Sequence, residues 1–232
     1  MEIKVIAEAS KRYQRLLEIW GLSILIDEDI LFDTFSTPKI LKRNLKKYNV
    51  DIDKIKHIVI SHDHWDHTGG LWWLLENNKN AAIYICKTFS KETKEKIAQY
   101  TSSIIEVDKP IKIKENVYST GTLDGFPIDE QSLIIKNKKN TVITGCAHSG
   151  LFNIIKKADT IIDKKIDLLI GGFHLSKKSI NEIENTIRQL KDNYKIKKAA
   201  PCHCTGDMAV KLFKKYYKND FIKVKPGTVI DI

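Results

Sequence analysis

The stretch Ser61-His-Asp-His-Trp-Asp-His67 places three of the chain's seven histidines and two aspartates within seven residues. Titratable side chains crowded that closely desolvate and repel one another unless something compensates, and a metal ion suits imidazole plus carboxylate. The cluster directly follows His57-Ile-Val-Ile-Ser61, a nearly all-apolar run that reads as a buried strand. At a strand end, residues i and i+2 point the same way, so His62 and His64 can grip one ion. The chain then turns, and Asp66 and His67 can face a second ion nearby. These donors suit zinc first, with iron or manganese as alternatives, and a pair of such ions supplies hydroxide near neutral pH. The competing reading is a solvated polar loop. It accounts neither for the position after a buried strand nor for the following Gly69-Gly70.

Three later segments carry further candidates. In GCAHSG (145–150), His148 lies two residues after Cys146, on the same side, between the strand-like TVIT and a helical pattern. His148 reads as a ligand or as a residue behind the ligands, and Cys146 as a thiolate ligand or a buried small residue. GGFHL (171–175) and PCHCTG (201–206) each put a histidine at the C-terminal end of an apolar run, the rim where α/β domains bind ligands. His174 can donate a proton to a leaving group or contact a substrate phosphate; the alternative is a hydrogen-bonded core histidine. Cys202 and Cys204, a C-x-C pair flanking His203, suit metal or redox chemistry better than a structural bridge; they are expected to shape the turn, and as ligands they would favour a redox or structural-metal function. Cys86, in the apolar run AAIYIC, is expected to be core. Four cysteines are too few for a disulfide framework at this length.

The elements that must position these residues are legible from periodicity. Ile3, Val5 and Ala7 alternate with polar neighbours as a first strand. SILIDEDILFDTF reads as a hairpin with an acidic turn, and Thr37-Pro38 opens the helix KILKRNLKKY. LWWLLENN is a helix, AAIYIC a strand, KETKEKIAQY a charged helix, and SIIEVD and NVYSTGTL strands or their connections. SLIIK and NTVITGC pair around the turn NKKN. Then LFNIIKKADTII (helix), DLLIGGF (strand), SINEIENTIRQLKDN (helix), KKAAPCHC (strand) and MAVKLFKKYY (helix) alternate. A hairpin-rich first half followed by alternation fits one α/β domain over residues 1–232.

The composition, 42% hydrophobic over 232 residues, supports a sizeable core, and no apolar run is long enough to span a bilayer. The first residues lack a signal peptide's apolar core, so a cytoplasmic protein without a membrane partner is expected. The net charge of +10 rests mostly on scattered lysines; arginine occurs only at 12, 15, 43 and 188. Scarce arginine argues against a nucleic-acid partner and leaves a small anionic substrate as the expected one.

His62-x-His64-x-Asp66-His67 resembles the H-x-H-x-D-H motif of the metallo-β-lactamase superfamily, and SILIDEDILFDTF, ending in Asp33, resembles that family's opening hairpin. The resemblance covers nearly the whole chain and implies an αββα sandwich with the metal site at one edge, between two sheets. It implies that His203 is the last ligand of the second metal. Family members usually carry a bridging aspartate where Cys146 stands, so either Cys146 ligates as a thiolate or His148 fills the vacancy. The family's earlier ligand histidine has no counterpart in TGTLDGFP (120–127). GCAHSG, GGFHL and PCHCTG together are similar to the group named for 7,8-dihydropterin-6-methyl-4-(β-D-ribofuranosyl)aminobenzene 5′-phosphate synthase. The implied function is a metal-dependent hydrolase acting on a small phosphate-bearing molecule, with Asp66 and His174 as catalytic side chains and His174 also touching substrate. The pterin-pathway synthase itself and an iron-binding redox protein are the alternatives; β-lactam hydrolysis and nucleic-acid processing are not expected.

Overall fold

The computed structural model describes residues 1–10, 19–101, 103–162 and 165–232. Arg12 and Arg15 lie outside the described residues. Strands β1 (Glu2–Ala9), β2 (Gly21–Ile26) and β3 (Ile30–Phe32) form an antiparallel meander. After helix α1 (Pro38–Lys47), β4 (His57–Val59) pairs parallel to β3. Helices α2 (Trp65–Thr68) and α3 (Leu71–Asn77) lead to β5 (Ala82–Cys86), and α4 (Lys91–Ala98) leads to β6 (Ile104–Val107), both strands joining in parallel.

The same order then repeats. Strands β7 (Ile111–Lys114), β8 (Val117–Ser119), β9 (Leu133–Ile135) and β10 (Thr141–Thr144) form a second antiparallel meander. Helices α5 (Leu151–Asp159) and α6 (Ile180–Arg188) bring in β11 (Leu168–Gly172) and β12 (Lys198–Cys202), both parallel to β10, and α7 (Asp207–Tyr217) follows. Last, β13 (Val229–Asp231) pairs with β1, giving a seven-stranded sheet β13-β1-β2-β3-β4-β5-β6 and a six-stranded sheet β12-β11-β10-β9-β8-β7.

Alternation along each strand decides what packs where. Ile24, Phe32 and Val59 of one sheet meet Leu133, Ile143 and Ile170 of the other in a core between the sheets. The intervening Leu25, Leu31 and Ile58 pack with Leu41 and Leu45 of α1 and Leu71 and Leu74 of α3. On the far side, Val142, Leu169 and Ala199 pack with Ile154, Ile183 and Phe213 from α5, α6 and α7. Strands covered on both faces must be apolar throughout, which is why HIV, LLIGG and TVIT read as continuous runs. Each fully buried Leu or Ile contributes roughly 1.5–3 kcal/mol against exposure. Thr37 Oγ1 caps α1 by accepting from Ile40 N, and Ser179 with Glu182 forms a capping box on α6. The layers are therefore helix, sheet, sheet, helix, as expected. No helix of the described residues is long and apolar enough to cross a membrane.

Two details differ from the sequence reading. The second half holds more antiparallel strands than the SLIIK–NTVITGC hairpin expected there, because each half runs from meander to parallel strands. Strands β7 and β13 were not expected. Both are edge strands of four and three residues carrying lysines or an aspartate, and an edge needs few apolar side chains.

Candidate metal centre

Five strands end at one rim. Strand β3 delivers Asp33, β4 delivers Ser61 and His62, β10 delivers Cys146 and His148, β11 delivers His174, and β12 delivers His203. Asp33 (φ 59°), Ala147 (φ 61°), His174 (φ 51°) and His203 (φ 51°) all take the left-handed backbone conformation as the chain leaves its strand. Such residues are held at a cost of about 1 kcal/mol or more each, and they cluster where function requires a sharp turn.

The imidazoles fall into two groups. His62, His64 and His148 form the first, with ring centroids 4.6 Å (His62–His64), 4.8 Å (His62–His148) and 4.9 Å (His64–His148) apart. Asp66, His67 and His203 form the second: Asp66 Oδ2 lies 3.4 Å from His67 Nε2 and 3.2 Å from His203 Nε2. Cys146 Sγ stands 3.4 Å from His67 Nε2 and belongs with His62 and His67 in a third set, so it lies between the groups. Within each set one donor atom per residue lies within 4.8 Å of the others.

Burial, reinforced by the neighbouring imidazoles, holds His62 far below its usual range and His148 down to about 4, and burial also lowers His64. These rings are neutral near pH 7, with lone pairs free to bind a cation. Burial alone would raise Asp66, but His67 and His203 hold it well below the carboxylate range. Burial alone would lower His67, yet Asp33 and Asp66 together keep it protonated. Its Nε2 proton, between Asp66 and Cys146, stands where a cation fits.

A buried network fixes these donors. Asp33, wholly buried, accepts from Ser61 N (2.7 Å) and Ser61 Oγ (2.8 Å), and His67 Nδ1 donates to its Oδ2 at 2.7 Å. That last bond turns His67 Nε2 toward the centre. Ser61 Oγ also meets His62 Nδ1 at 2.8 Å, and His203 Nδ1 donates to Ala9 O at 3.3 Å, so both Nε2 atoms face inward. Gly145 leaves room for the network, since a Cβ there would lie 2.2 Å from Ser61 Oγ. On the other side, buried Glu130 accepts from Ser149 N and Oγ (3.1 and 2.8 Å), and Phe126 N donates to His148 O at 3.3 Å. The 120–127 loop, without a histidine of its own, thus braces His148 from behind.

The fit of a cation is tested by what remains unpaired. His62 Nε2, His203 Nε2 and both ring nitrogens of His148 are buried without a hydrogen-bond partner; the 3.2 Å approach of His203 to Asp66 lacks hydrogen-bond geometry. Each unmet buried polar atom costs about 1–3 kcal/mol. Imidazole nitrogens, a carboxylate and a thiol are the donor set that divalent zinc-like ions take.

All the sequence-predicted donors, His62, His64, Asp66, His67, Cys146, His148 and His203, come together here. His148 and Cys146, which the sequence left as rival replacements for one missing ligand, occupy different places: His148 completes the first group and Cys146 separates the two. His174 is exposed at the mouth, its ring 4.6 Å from that of His148, so it is not a core histidine. Its contact with Cys204 holds it above the usual imidazole range. The two cysteines around His203 do not share one turn-shaping role. Cys202 packs in the core between the sheets, while Cys204 lines the cleft. Cys86 is core as expected, its thiol pushed up to about 12 by burial. The supporting roles of Ser61 and Glu130 were not foreseen; only Asp33 left a signal, an aspartate closing an apolar strand.

Gly172 marks how tightly the rim is built. A Cβ there would lie 2.4 Å from Gly145 O and 2.6 Å from Cys204 Sγ. Gly172→Ala is therefore expected to destabilise the protein by about 1–3 kcal/mol in urea unfolding, as overpacking does; an unchanged midpoint would contradict this packing.

The centre opens into a cleft of about 600 Å³ bordered by Trp20, Trp65, His174, Ser176 and Lys177. Residues 21–145, more than half of the chain, match the family model of the metallo-beta-lactamase superfamily. Over 90% of this chain and 89% of the relative, the sequence is 29% identical to a protein of Methanocaldococcus jannaschii named 7,8-dihydropterin-6-methyl-4-(beta-D-ribofuranosyl)-aminobenzene-5'-phosphate synthase. An uncharacterized protein of the same organism is 26% identical over 99% of this chain and all of its own. The fold superposes on the crystal structure of Tm1679, a metal-dependent hydrolase of the beta-lactamase superfamily. The TM-score is 0.80 at 25% identity, covering 100% of this chain and 99% of that one.

Proposed function

The chain belongs to the metallo-β-lactamase superfamily, and from that premise we propose that it is a metal-dependent hydrolase of small phosphate-bearing molecules. What carries this reading is the set of buried, unpartnered imidazole nitrogens converging with Asp66 at the floor of the cleft. His62, His64 and His148 would hold one ion, and Asp66, His67 and His203 the other, with Cys146 between them. Ions bound there would acidify water and stabilise charge on attacking and leaving oxygens. Asp33 fixes the orientation of His67. His174, at the mouth, donates a proton to the leaving oxygen. Lys177 and Ser176 receive the rest of the phosphate, and the positively charged chain draws the anion in.

The test is metal analysis of protein purified without added ions, followed by a screen of phosphomonoesters and phosphodiesters with and without chelator. The expected result is co-purifying divalent metal and hydrolysis that chelator abolishes and metal restores. Chelation should also lower stability, by about 2.7 kcal/mol if the ion stood at a hundred times its dissociation constant. Hydrolysis that survives complete metal removal would overturn the assignment.

A second reading follows from the name of the M. jannaschii relative: joining a ribosylaminobenzene phosphate to a pterin. Trp20 and the half-exposed Trp65 beside the centre favour it, because indole faces suit flat aromatic substrates. Direct assay with those two substrates separates synthesis from hydrolysis.

A further inference from the structure

The sequence reading expected Cys204 to shape the turn at His203, with metal or redox chemistry as the alternative, and its surroundings favour the metal. Strand β12 ends with the Cys202 side chain in the core between the sheets. The left-handed turn at His203 then sends Cys204 to the opposite side, where its thiol reaches Cys146 O at 3.5 Å. Its sulfur occupies the space that Gly172 leaves by lacking a Cβ, beside the backbone of Cys146. Cys146 Sγ, Cys204 Sγ and one nitrogen of His203 all lie within 4.8 Å of one another. His203 Nδ1 is taken by Ala9 O, so the inward nitrogen is Nε2, buried and without a hydrogen-bond partner. Two sulfurs on one tetrahedral zinc ion stand about 3.8 Å apart, given Zn–S bonds of about 2.3 Å. The observed spacing needs a closure of no more than about 1 Å, within reach of thiol rotation.

We propose that Cys204, paired with Cys146, is a thiolate ligand of the second metal position, adding to the donors of Asp66, His67 and His203. The centre is then asymmetric: three imidazoles on one side, and two thiolates beside Asp66, His67 and His203 on the other. Each thiol gives its proton to solvent as the ion binds. Thiolate donors select zinc, cobalt or cadmium over magnesium or manganese, so the two positions differ in the ions they retain. This inference rests on the metal-centre reading above and adds to it the chemistry of one half.

X-ray absorption at the metal edge tests it without any activity measurement. Protein loaded with two equivalents of Co²⁺ or Zn²⁺ should show sulfur scatterers at about 2.3 Å, averaging about one per ion. Cys204→Ser should halve that count, and its Co²⁺ form should lose part of the sulfur-to-metal absorption. Its affinity for the second ion should fall by on the order of 10- to 100-fold or more. A sulfur count unchanged in Cys204→Ser, or a wild-type average near one-half, assigns sulfur to Cys146 alone and overturns the proposal. Cys146 bridging both ions would by itself also average one sulfur per ion, so Cys146→Ser is read alongside: about one-half sulfur per ion supports Cys204 as a ligand, and none overturns it. Two ions bound by nitrogen and oxygen only would overturn the thiolate pair and leave the hydrolase reading standing. A protein that binds no ion would overturn both.

Discussion

His64→Ala is expected to lower metal-dependent phosphoester turnover by on the order of 10²- to 10³-fold, equivalent to about 3–4 kcal/mol of transition-state stabilisation. The expectation follows from where His64 stands. Its ring, with those of His62 and His148, makes the first group, and removing it leaves two imidazoles to hold an ion that takes four ligands. Bound metal, measured on the same preparation, should fall with activity. The fold should survive. His64 is only half-buried, and what it gives the local helix is its backbone carbonyl, which accepts from His67 N at 3.0 Å and Thr68 N at 3.1 Å in either variant. The metal-free variant should therefore unfold within about 0.5 kcal/mol of metal-free wild type. Unchanged turnover would remove His64 from the centre and the hydrolase proposal with it.

The second large effect is expected one layer further out. Asp33→Asn should weaken binding of the second ion by on the order of 10- to 100-fold although residue 33 touches no ion. The Asp33 carboxylate accepts three hydrogen bonds, two from Ser61 and one from His67 Nδ1–H. An amide of the same shape presents an NH₂ to at least one of those donors. His67 then loses the partner that points its Nε2 inward. The backbone is not at issue, because asparagine tolerates the φ of 59° found at this position. A mismatched buried donor costs about 1–3 kcal/mol, so the metal-free protein should also be less stable by that amount in urea. Competition titration with a zinc chelator reads the affinity. A value within twofold of wild type would mean that His67 needs no orienting carboxylate.

How much of this was legible beforehand follows from the range of each interaction. His62 and His64 share an ion in prospect because a strand's two-residue repeat alone sets their directions, and Asp66 with His67 follows from the turn. The strands themselves were legible because a sheet covered on both faces demands unbroken apolar runs. Edge strands β7 and β13 escaped notice because they are under no such demand. Glu130 gave no warning either. It sits in an irregular loop, and its value lies in meeting Ser149, nineteen residues on, behind His148.

The local sequence by itself determined most of the elements, the start of α1 and the donors nearest one another along the chain. Only the tertiary structure decided that Asp33 lies against His67, 34 residues away, that Cys146 reaches the same ring across 79, and that His203 is braced by Ala9 across 194. It also decided that Cys202 turns into the core while Cys204 turns toward the metal centre. The physical reason is that these pairings are set by which strands become neighbours and how the two sheets stack. That order comes from burying many apolar side chains at once, and no short window of residues contains it.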